Sequence, residues 1–68
     1  MKNIISKQEV FKTVNYAVKM IEKGENIILE IKDNFIKIIE TKDGVINKFT
    51  YTKIDEENYK ETSQFDVK

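Results

Sequence analysis

The sequence predicts an α+β fold, an N-terminal helix packed on a three- to four-stranded antiparallel β-meander, and three observations predict it. Asp43-Gly44 lies between two apolar-rich runs, the pairing that best suits a two-residue type I′ hairpin turn. Asp33-Asn34 offers a second turn of the same kind ten residues earlier. Upstream of both, Ser6-Lys7-Gln8-Glu9 has the form of a helix capping box.

In chain order, the helix comes first. The Ser6 hydroxyl can accept from the Glu9 amide while the Glu9 carboxylate reaches back, and Ile5 and Val10 occupy the positions of a hydrophobic staple. Gly24 follows Glu22-Lys23, as expected where the chain turns left-handed at a helix end. The helix is therefore expected over 7–23. At about 100° per residue, Val10, Phe11, Val14, Ala17, Val18 and Ile21 share one broad apolar stripe. Lys12, Tyr16, Lys19 and Lys23 gather on the far side as a basic stripe around one aromatic, read as a solvated face.

Strands follow at about 26–32, 35–41, 45–53 and 59–67. Two-residue turns specify every pair above them, so Leu29 should face Ile38, Ile31 face Ile36, Ile38 face Phe49 and Ile36 face Tyr51. Side chains alternate along a strand, which places Ile27, Leu29, Ile31, Ile36, Ile38, Phe49 and Tyr51 on one face for the helix to cover. The expected core is Val10, Phe11, Val14, Val18, Ile21, Leu29, Ile31, Ile36, Ile38, Phe49 and Tyr51. The last strand alternates through Tyr59, Glu61, Ser63, Phe65 and Val67, and its face depends on the loop before it. A four-residue loop after Ile54 turns Phe65 and Val67 outward, and a three-residue loop turns them toward the helix. In sheet order 1-2-3-4 the first and fourth strands are edges, and 26–32 is an apolar edge open to a second copy or a partner.

Composition narrows the chemistry. Sixty-eight residues suit one small domain, taken as residues 1–68. There is no Cys or His, and no apolar run of the roughly 18 residues that a membrane span needs. The expected compartment is the cytoplasm. The two glycines are both accounted for, one as helix end and one as turn, so no phosphate-cradling loop remains. The chain is expected to be no enzyme, with no cofactor and no metal, because acid–base and nucleophilic catalysis near neutral pH usually draw on groups it lacks.

Net charge is zero but unevenly spread: residues 1–54 carry ten Lys against seven acids, +3, and 55–68 carry two Lys against five, −3. All twelve basic residues are lysine, so the guanidinium best suited to bidentate phosphate or guanine recognition is missing. The outer face, with Ile28, Glu30, Phe35, Lys37, Ile39, Ile46, Lys48, Thr50 and Thr52, is more apolar than a solvated face needs to be. Ile28, Phe35 and Ile39 are thus the expected hydrophobic centre of a partner-binding site. Asp55, Glu56 and Glu57 are the expected acidic element, placed to imitate phosphates toward a nucleic-acid-binding partner.

The favoured function is a non-catalytic protein–protein interaction module. Phage and mobile-element inhibitors of bacterial host machines, anti-CRISPR proteins among them, are often chains of this size, and a host protein is the expected partner. A single-stranded nucleic-acid-binding sheet using Phe35, Lys37 and Lys48 is the alternative, with direct nucleic-acid binding less favoured. A homodimer made by pairing the outer faces of two copies is the third reading.

Overall fold

The computed structural model describes residues 3–67. Its elements are β1 (Ile4–Ser6), α1 (Lys7–Glu22), β2 (Ile27–Ile31), β3 (Phe35–Lys42), β4 (Val45–Lys53) and β5 (Asn58–Val67). All five strands form one antiparallel sheet in the order β1-β5-β4-β3-β2, with the helix laid across one face.

Both predicted helix ends are present. The Glu9 amide donates to Ser6 Oγ at 3.2 Å, and Gly24 takes φ 92° just after the capping residue Lys23. Gly24 and Gly44 both hold left-handed backbone conformations that other residues adopt at a steric cost. Asp43 joins Gly44 with φ 54°, as a type I′ turn demands.

The first hairpin keeps the expected two-residue register but not the expected turn. Lys32 N–H donates to the Phe35 carbonyl at 2.8 Å, yet neither Asp33 nor Asn34 has a positive φ. Without glycine the left-handed region is costly at both central positions, and the chain closes this hairpin by another route.

Every predicted pair from β2 through β4 occurs: Leu29 with Ile38, Ile31 with Ile36, Ile38 with Phe49 and Ile36 with Tyr51. On the helix side the sheet therefore reads in rows. The first is Ile31, Ile36, Tyr51 and Glu61; the second Leu29, Ile38, Phe49 and Ser63; the third Ile27, Glu40, Asn47 and Phe65.

The helix settles on the first two rows. Val10 and Ala17 are buried beneath it with Ile36, Ile38, Tyr51 and Tyr59, and Ile5, Val14, Ile27, Leu29 and Phe49 pack around them. Phe11, Val18, Ile21 and Ile31, all expected in the core, are exposed instead. The apolar stripe is wider than the line of contact between a cylinder and a sheet, so its far flank overhangs. Ile31 lies on the correct face but on the margin strand, where nothing sits beside it.

Two further corrections come from the chain ends. β1 is a fifth strand, three residues long, pairing Ile4 with Lys60 and Ile5 with Tyr59. It covers the start of β5, so the last strand is an edge only beyond Glu61, whose N–H donates to the Asn3 carbonyl at 2.7 Å. The loop before β5 is the three-residue form, with the Ile54 N–H on the Asn58 carbonyl at 3.0 Å. That turns Phe65 and Val67 to the helix side, where both remain exposed because neither packs against the core beneath the helix.

Candidate interaction surface

No element among the described residues covers the outer face. Its centre is the Ile28–Ile39 pair, placed directly opposite each other by the β2–β3 register. Ile28 is 59% exposed because β2 is the margin of the sheet. Ile39 is half-buried, shielded from its other side by Lys48, its partner across β4. Such alternation of isoleucine with lysine lets the lysine stems cover apolar surface while their ammonium groups stay in water.

Phe35 shares the face but not the patch. It lies four residues from Ile39 along β3, on the order of 13 Å at strand rise, with Lys37 between them. The Lys37 ammonium sits 5.8 Å from the centre of the Phe35 ring, within range of a cation–π contact. Glu30 does stand opposite Lys37, but its carboxylate lies 3.9 Å from Lys32 instead. Lys37 thus lies against the phenyl ring and not against the carboxylate across the strand.

The acidic element divides by role. Asp55 organises its own loop: its Oδ1 accepts from the Glu57 amide at 2.8 Å and from Asn58 Nδ2 at 3.1 Å. These hydrogen bonds, the Glu57 amide first, hold the Asp55 carboxyl below the usual range. Glu56 lies 3.6 Å from Lys53, an exposed pair of small energetic value. Glu57 turns its carbonyl to the Lys7 N–H at 2.8 Å, tying the loop to the first turn of the helix. Its side chain is exposed.

Lys12, Tyr16, Lys19 and Lys23 are all exposed on the helix. Tyr16 also forms a wall of a cleft of about 310 Å³ between the helix flank and the third row, together with Ala17, Ile27, Glu40, Phe49 and Tyr51. A shallower hollow of about 260 Å³ continues past Phe49 to Asn47 and Phe65. Sequence reasoning did not anticipate either, because both exist only where the helix stops short of the sheet. The cleft floor holds Tyr51, 2% exposed, whose hydroxyl is pushed up to about 12 by burial first and then by the neighbouring Glu61 carboxylate.

Among the described residues no three Asp or Glu side chains gather as a metal site, and no helix is long and apolar enough to cross a membrane. Comparison with protein families, with curated proteins and with solved structures finds no match to this chain. Its functional reading rests on its own geometry.

Proposed function

We propose that this chain is a non-catalytic protein-interaction module whose contact surface is the outer sheet face around Ile28 and Ile39. The observation that carries the proposal is the cross-strand apolar pair at the margin of an uncovered face, one member of it more than half exposed. A compact apolar centre bordered by lysines suits a partner that presents an apolar side chain ringed by carboxylates. In its narrower form the module is an inhibitor that occupies a site on a larger bacterial host protein, as anti-CRISPR proteins do. Glu56 and Glu57 then supply the exposed negative charge toward a nucleic-acid-binding target.

Direct binding of single strands is less well supported, because stacking needs an open aromatic face and Lys37 lies over Phe35.

The test compares the wild type with Ile28→Asp as baits in a bacterial lysate, with and without nuclease, read by mass spectrometry. The expected result is a defined protein retained after nuclease by the wild type and lost by a variant with an unchanged circular dichroism spectrum. Equal capture by both baits, capture that vanishes with nuclease, or no specific capture overturns the proposal.

A further inference from the structure

The margin strand β2 carries an unfilled set of hydrogen-bonding groups. Lys32 N–H donates to the Phe35 carbonyl, and the Asn26 carbonyl accepts from Thr41 N–H at 3.0 Å. In an antiparallel ladder bonded residues alternate, so the even-numbered residues of β2 bond to β3 and the backbone groups of Ile27, Leu29 and Ile31 point away from it. Ile27 N–H bends back to the Glu25 carbonyl at 3.0 Å. The N–H groups of Leu29 and Ile31, and the carbonyls of all three, are left on an open edge.

Natural edges are usually blunted by proline, bulges or inward-pointing charges. β2 has none of these, and its one charged residue, Glu30, lies on the outer face beside Lys32. The opposite margin differs. There β5 beyond Glu61 carries Thr62, Ser63, Gln64 and Asp66, with exposed Phe65 and Val67 between and after them.

We infer that two copies of this chain join through their β2 edges, antiparallel about a two-fold axis at Leu29, into one continuous ten-stranded sheet. In this register Leu29 N–H donates to the Leu29 carbonyl of the second copy and Ile31 N–H to its Ile27 carbonyl. Each bond occurs twice by symmetry, and both open donors of each copy are used. Ile31, 62% exposed on the helix side, comes to lie against Ile27 of the second copy. No side chain meets its like charge directly: Glu30 faces Ile28, and Lys32 faces Asn26.

A five-residue edge alone buries too little for a stable dimer, which needs roughly 800 Å² per partner. The helix supplies the rest. Its backbone approaches β2 most closely, and it faces the cleft with Thr13 and Tyr16. Of its exposed apolar residues, Val18 and Ile21 lie in the half of the helix that runs into β2, whereas Phe11 lies near the β1 margin. The two-fold brings the same C-terminal half of the second helix in from the opposite side, so Val18 and Ile21 of both copies approach the seam.

Sedimentation velocity over a concentration series, with amide hydrogen exchange read residue by residue, tests the inference. The expected result is a dimer whose Leu29 and Ile31 amides exchange at least about tenfold more slowly than in a dilute sample. Ile31→Lys, a change at an exposed site, should weaken dimerisation by about tenfold or more while Ile28→Asp binding losses are scored separately on the outer face. A wild-type monomer at high concentration, or a dimer in which those two amides stay unprotected, overturns it. The exchange measurement needs no variant, so a misfolded Ile31→Lys protein would not rescue the inference.

Discussion

Tyr59 stands opposite Lys53 in the β4–β5 ladder and opposite Ile5 in the β1–β5 ladder, so one tyrosine joins both ladders at the start of the C-terminal strand. Its ring closes the end of the core, and the same register carries Phe65 and Val67 to the helix side. Position on the core face and burial in the core are therefore separate properties in β5.

That separation has a measurable consequence. Phe65 is 66% exposed, so Phe65→Ala should change stability by no more than about 0.5 kcal/mol. Ile38 is buried in the second row, and Ile38→Ala should cost about 2–5 kcal/mol, a large part of the stability of so small a domain. Urea unfolding of the two variants should differ accordingly, and similar losses for both would place the helix further up the sheet.

Alkaline unfolding should trace to Tyr51. Its hydroxyl ionises near 10 in the unfolded chain and at about 12 when folded, so between those values the unfolded state alone releases the proton. Stability is full below about pH 10 and is lost as pH rises toward 12, at up to about 1.4 kcal/mol per pH unit. Tyr51→Phe should remove most of that slope in urea titrations at pH 9, 10 and 11. A variant with the wild-type slope would assign the effect elsewhere.

The acid side should report on Asp55. Its folded-state carboxyl ionises below its unfolded value because the Glu57 amide and Asn58 bond to the charged form. The contribution is present above the unfolded value and is lost as pH falls through the folded one. Asp55→Asn keeps an acceptor for the Glu57 amide, so it should fold while showing a shallower fall in melting temperature between pH 5 and 2, within the carboxylate range. An unchanged fall would mean that the loop does not depend on the charge.

Much of the fold was legible because the signals are local. Ser6 and Glu9 are three residues apart, Asp43 and Gly44 are adjacent, and a two-residue turn dictates the pairs of its own hairpin. The Ile28–Ile39 half of the proposed contact surface followed from the same register. The remoteness of Phe35 from that pair was also implicit in it, as four residues of strand, whereas the cation over its ring was not. Asp55 looked like a free charge because its partners are loop amides whose direction depends on the turn they form.

What the sequence determined by itself, then, is the set of elements from α1 to β4, their mutual register and the division of the sheet into two faces. These depend on backbone preferences and side-chain alternation over a few residues. Only the tertiary structure decided that Ile4–Ser6 is a strand, that Tyr59 enters the core, and that Phe11, Val18, Ile21 and Ile31 lie outside it. Those outcomes depend on contacts between the two ends of the chain and on where a 16-residue helix comes to rest on a five-stranded sheet. A three-residue strand carries too little periodicity to announce itself. An apolar stripe states which side of a helix turns inward, but the neighbouring surface sets how much of it is covered.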